Sequence, residues 1–127
     1  MNSHTVAQYI EAVKDRPFEW GRWDCCQFVA EWIKEATGTD YRDQFPKYTG
    51  ESDAREIIGS SGGLVSLVSS CLARIHPAHA RKGDIVLSRD ESGAALGICI
   101  GVQSAHVSET GIVYLQTLDG ICAWRVE

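Results

Sequence analysis

Apolar positions near the start of the chain recur at helical spacing. Val6, Tyr9, Ile10 and Val13 fall on one helix face, and Thr5-x-x-Gln8 ahead of them has the form of a capping box. In such a box the hydroxyl and the glutamine side chain each satisfy a backbone group at the helix start. Pro17 ends that helix. A second helix is predicted from Asp24. Asp24-x-x-Gln27 repeats the capping pattern, Cys26, Val29, Ile33 and Ala36 make an apolar stripe, and Gly38 stands where a left-handed closing residue belongs. Residues 39–50 are polar and turn-rich. A short helix from Ser52 to Ile58 follows, then an apolar helix over LVSLVSSCLAR behind Gly62-Gly63.

After Arg81 the period changes. DIVLSR, ALGICIGV, AHVSE, GIVYLQT and CAWRV are strand-length runs separated by glycine or acidic turns. Helices come first and about five strands come after, a segregation that predicts an α+β fold with an antiparallel sheet packed on the helical half. The 127 residues suffice for one core, so residues 1–127 are read as a single domain.

Charge and composition narrow the class. Seventeen acidic residues against twelve basic give a net charge of −5, which offers no basic footprint for nucleic acid or an anionic membrane surface. No apolar run approaches the ~20 residues of a membrane span. The opening MNSHTVAQYIEAVKD has no apolar signal core, so synthesis and folding in the bacterial cytoplasm without a signal peptide is expected. The cysteines, Cys25, Cys26, Cys71, Cys99 and Cys122, are odd in number and irregular in spacing, which suits reduced thiols. None forms the short-gap pair of a zinc site. His76 and His79 flank a proline in a segment read as a solvated loop, so no metal or cofactor is expected.

The adjacent thiols carry the candidate chemistry. With Asp24 as N-cap, Cys25 is the first helical residue, where the helix dipole and unpaired N–H groups favour the thiolate. A backbone N–H beside the sulfur is also the usual start of an oxyanion hole. Cys26 is turned about 100° away, toward the stripe, and is read as core. Position alone leaves packing open as the explanation for Cys25, because buried cysteine is common.

Several ordered motifs resemble the NlpC/P60 cysteine peptidases. Pro17-Phe18-Glu19-Trp20-Gly21, followed by Asp24-Cys25, is similar to the family's approach to its nucleophile. Gly83-Asp84-Ile85-Val86 resembles its Gly-Asp-Leu-Val strand, and Ala95-Leu96-Gly97-Ile98-Cys99-Ile100-Gly101 its His-Val-Gly-Ile-Tyr-Ile-Gly strand. The resemblance implies a compact papain-like fold, with the nucleophile's helix packed on an antiparallel sheet. It also exposes departures. Ala95 occupies the position of the catalytic histidine, Cys26 replaces a serine and Gln27 a glycine. His106 falls near the family's third polar position. It is either the orphaned orienting residue, a substitute base, or a strand histidine with a backbone partner. Trp20 and Trp23 flank the site and are candidates for a groove or a partner surface, together with Asp24 and Gln27. Asp84 is read as a turn carboxylate capping its own backbone. Trp32 is read as core. Glu51, Asp53 and Glu56 are read as a solvated helix face.

A branch of small phage and prophage proteins has the same Phe-x-Trp-Gly…Asp-Cys-Cys start, Gly-Gly-Leu helix, Ala-Leu-Gly-Ile-Cys strand and Ala-Trp-Arg-Val end. These are here Phe18 to Cys26, Gly62 to Leu64, Ala95 to Cys99, and Ala123 to Val126. This resemblance implies a setting among siphophage tail-assembly proteins. Two functions follow. One is a non-catalytic, pseudoenzyme-like part of a phage tail tip, located in the virion and partnered by other tail proteins. The other is a cysteine hydrolase of peptidoglycan stem-peptide amide bonds, with Cys25 as nucleophile and His106 as base.

Overall fold

The computed structural model describes residues 5–20, 22–42, 63–90 and 93–126. The expected helix from Ser52 to Ile58 lies outside them. Helix α1 spans Val6–Val13, and both halves of its Thr5–Gln8 capping box are formed. Its buried face is Val6, Tyr9, Ile10 and Val13. Helix α2, Cys25–Thr37, closes at Gly38 in the left-handed conformation, whose N–H reaches the Lys34 carbonyl. Helix α3 is Gly63–Ser69.

Strands β1 (Arg74–Ile75), β2 (Ile85–Asp90), β3 (Gly93–Cys99), β4 (Gln103–Ser108), β5 (Gly111–Gln116) and β6 (Cys122–Trp124) form one antiparallel sheet. Its order is β1-β6-β2-β3-β4-β5, six strands where the alternation predicts about five. The additional one, β1, is two residues long and too short for any periodicity to reveal. The α+β class stands as expected, with the sheet on one side of the helices.

Alternation along the strands divides the sheet cleanly. Ile85, Leu87, Leu96, Ile98, Ala105, Val107, Cys122 and Trp124 join Tyr9, Phe28, Val29, Trp32 and Ile33 in the main core. Val86, Cys99 and Ala123 face the other way, under Ile75 and Ala80. Polar anchors fix the two layers. The buried Tyr9 hydroxyl donates to the Phe28 carbonyl at 2.7 Å, and burial raises its pKa far above the phenolic norm. The Trp32 indole donates to the Gly83 carbonyl at 2.8 Å. Gly83 itself has φ +99°, a conformation that disfavours a side chain, which explains the glycine opening its motif.

Asp84, next in line, does more than cap a turn. Buried, it accepts the Arg81 N–H at 2.9 Å and the Val126 N–H at 3.0 Å, and it pairs with Arg125 at 3.1 Å. It therefore clasps the last residues of the chain to the turn before β2. Nothing in the spacing of Asp84 and Arg125 announced that pairing.

Candidate active site

The segment before α2 is a tight turn closed by two residues. Glu19 and Trp23 exchange backbone hydrogen bonds at 3.0 and 2.7 Å, forming an isolated antiparallel bridge. This turn delivers Asp24 in extended conformation to the helix start, where its carboxylate accepts the Gln27 N–H at 3.0 Å. Asp24 is fully buried, and Gln27 is half-buried in the first turn.

The two tryptophans of this turn part company. Trp23 is buried against Phe28, with the Arg16 guanidinium 4.4 Å above its ring. Arg16 also makes a bidentate pair with Glu31, so it ties the end of α1 to α2 over that indole. Trp23 therefore belongs to the core and offers no face to a groove. Trp20 is half-buried, edge-on to Phe18, and is the indole with surface to offer. The sequence offered both alike as aromatics flanking the site, and the packing of Phe28 and Arg16 on Trp23 is what separates them.

Cys25 begins α2 and is half-buried, whereas Cys26 is buried in the core. The Cys25 thiol is held below its ordinary pKa chiefly by a hydrogen bond from the Cys26 thiol. Burial opposes that shift, and the Leu96 N–H assists it. The Asp24 carboxylate raises the value somewhat, and the N–H of Cys25 itself lowers it. None of these largest influences is an imidazole. The helix start was foreseeable, but the help from Cys26 and Leu96 was not.

Sheet geometry explains why Leu96 can reach the sulfur. Strand β3 pairs with β2 from Ile85↔Ile98 to Asp90↔Gly93, yet with β4 only at Ile98↔Ala105 and Cys99↔Ser104. The Cys99 N–H points to β2 and the Ile100 N–H to the β4 side, so by alternation the Leu96 N–H also faces β4. There the ladder has already opened, and the start of α2 takes that donor. The peptide carrying it begins at Ala95, which is half-buried and opposite Ser88.

His106 sits deeper. It is 1% exposed, and its Nε2 lies 2.7 Å from the Ser104 hydroxyl, so its partner is a side chain two residues back on the same strand. The ring lies over Gly97. A Cβ built there would come within 2.4 Å of His106 Cε1 and Nδ1 and 2.5 Å of the Ala105 carbonyl oxygen. By strand alternation His106 shares its face with Ser104 and Cys99, away from the side chains that α2 covers. Neither Gly97 nor Ser104 stood out as a site residue beforehand. Gly97 had a signal, a glycine inside a β-run, which often marks a close approach.

Among the described residues no group of three or more potential ligands could hold a metal ion. The rings of His76 and His79 stand 6.2 Å apart across a 3-10 turn, Pro77–His79, with His76 Nδ1 accepting the Ala78 N–H.

Helices packed on one antiparallel sheet, with a thiol at the start of α2 beside the point where β3 and β4 part, match the papain-like NlpC/P60 type of fold. Such a fold is seen in the crystal structure of the NlpC/p60 domain of the peptidoglycan hydrolase SagA, to which this chain is similar with a TM-score of 0.64. The match covers 98% of this chain and 99% of that one at 16% identity, a likeness of fold. By sequence, the chain belongs to the family described as domain of unknown function DUF6950, whose model matches residues 2–126. Among curated proteins none matches it.

Unequal thiols give a direct check. Iodoacetamide applied to the native protein should modify Cys25 well before Cys26, and at a pH below the range of an ordinary free thiol. Peptide mapping of the alkylated protein reads the order, and faster modification of Cys26 would refute the assignment.

Proposed function

We propose that this chain is a degenerate, non-catalytic NlpC/P60-like domain that serves as an assembly part of a phage tail tip, with other tail proteins as partners. One observation carries the loss of catalysis: the peptide that bonds the Cys25 sulfur begins at Ala95, where the resembling enzymes have their histidine. Alanine can neither take the thiol proton nor return one to a leaving amine. General acid–base help is worth about 10²–10⁴-fold, so without it a thiolate leaves amide bonds essentially uncut. His106 is the candidate to replace it, but its Nε2 is engaged by Ser104 and its ring is packed on Gly97. The tail setting rests on the resemblance of the four ordered motifs, and location in the virion follows from it.

The retained helix start supports the second reading, a peptidoglycan hydrolase using Cys25 and His106. Purified sacculi incubated with wild type, Cys25→Ala and His106→Ala decide between the two. No release of stem-peptide fragments by wild type is expected. Release by wild type that both substitutions abolish would establish a Cys–His enzyme and end the non-catalytic reading. Ala95→His tests the position itself. It should move the iodoacetamide pH–rate profile of Cys25 to lower pH, and an unchanged profile would place Ala95 away from the sulfur.

A further inference from the structure

Two surface patches lie outside the cleft, on opposite faces of the sheet. The first gathers behind it. Val102, Leu118 and Ile121 are 78%, 73% and 47% exposed. The Val102 carbonyl accepts the Thr117 N–H at 2.8 Å, which sets Val102 beside the 3-10 turn Thr117–Asp119 that bears Leu118. That turn meets the one at Pro77–His79. Arg81 and Lys82 follow it, both exposed, and a side chain at Gly101 would lie 3.8 Å from Lys82 Cε. Among the described residues neither cation has a carboxylate within ion-pair distance, whereas Lys14, Arg16, Arg22, Lys34, Arg42 and Arg125 are all paired. Asp119, exposed on the same side, offsets one of the two charges.

The second patch lies on the helical side. Tyr114, 48% exposed, is the register partner of Ala105, a residue of the main core, and lies within electrostatic reach of Lys14. Glu11 and Asp15 are exposed around that lysine, and Glu11 is bonded to it at 2.8 Å, which leaves one carboxylate in excess.

We infer that these patches are the two halves of a head-to-tail contact between copies of this chain, with the aliphatic and basic face of one copy docking on the acidic face around Tyr114 of the next. Because they sit on opposite faces of one sheet, a single chain cannot bring them together, whereas two chains can. The excess positive charge of the first meets the excess negative charge of the second, in a protein whose net charge of −5 would otherwise keep copies apart. Burying Val102, Leu118 and Ile121 adds an apolar contribution. A contact between different surfaces repeats from copy to copy and generates a ring or an open filament. This deepens the assembly reading and rests on it for its setting only.

Sedimentation velocity of the full chain tests it. Association that grows with protein concentration is expected in 0.05 M NaCl, weakened roughly tenfold in 0.5 M as the charges are screened. The double variants Arg81→Glu/Lys82→Glu and Glu11→Lys/Asp15→Lys should each stay monomeric. An equimolar mixture of the two should associate again, since each retains the face the other has lost. Leu118→Ser should weaken association without affecting its salt dependence. A wild-type monomer at every concentration, association that survives either reversal, or a mixture that stays monomeric would overturn the inference. The sacculus assay is unaffected by those outcomes, so a monomer without hydrolase activity would remove self-association and leave the non-catalytic reading standing.

Discussion

Gly97→Ala is expected to destabilise the protein by about 3 kcal/mol, near the upper end for overpacking a well-filled interior. The added methyl would meet the His106 ring at 2.4 Å and the Ala105 carbonyl oxygen at 2.5 Å, and the second of these is backbone. Rotating a side chain cannot relieve it, so β3 and β4 must separate at the point where their ladder already ends. Urea unfolding followed by circular dichroism reads the loss as a lower midpoint. The double variant Gly97→Ala/His106→Ala should recover part of the stability lost to overpacking, because it removes the ring contacts and leaves the carbonyl one. A single variant as stable as wild type would mean that the strands are not this close. The same variant bears on chemistry, because displacing β4 displaces His106, the candidate to act as base.

Asp84→Ala should cost about 3–5 kcal/mol, the range for removing one partner of a buried ion pair. The carboxylate is 4% exposed and its Arg125 partner 19%, so water can do little to replace it. Its loss strands the N–H groups of Arg81 and Val126 and leaves the guanidinium only its bond to the His79 carbonyl. Asp84→Asn keeps the shape and one acceptor oxygen but no counter-charge, and should fall between alanine and wild type. Denaturant midpoints order the three proteins. Hydrogen exchange adds a local signature: the Val126 amide should lose protection in Asp84→Ala before β2 or β3 does. Equal stability of aspartate and alanine would show that the clasp contributes nothing net.

Much of the site's placement was legible in the chain because its causes are local. Asp24 can cap a helix only if an acceptor stands three residues before a free N–H, and that spacing is visible without a fold. The core assignment of Cys26 followed from its stripe with Val29 and Ile33 for the same reason. Long-range relations were not legible. Trp20 and Trp23 both stand in the short segment ahead of Cys25, and only packing against Phe28 beneath Arg16 sends Trp23 into the core. The same holds for His106, which spacing alone left as base, orienter or strand residue.

By itself, the sequence determined the helical and strand periods, the α+β order, the cap at Asp24, and the alanine at residue 95. Each is a property of residues close together along the chain, where backbone geometry fixes which side chains meet. Only the tertiary structure decided that Leu96 donates to Cys25, that Gly97 lies under the His106 ring, and that Arg125 returns to Asp84. Those contacts join residues from different elements, or depend on where β4 leaves β3. Strand register and helix docking set them through packing of the whole core, and no local pattern encodes the distance at which two such segments come to rest.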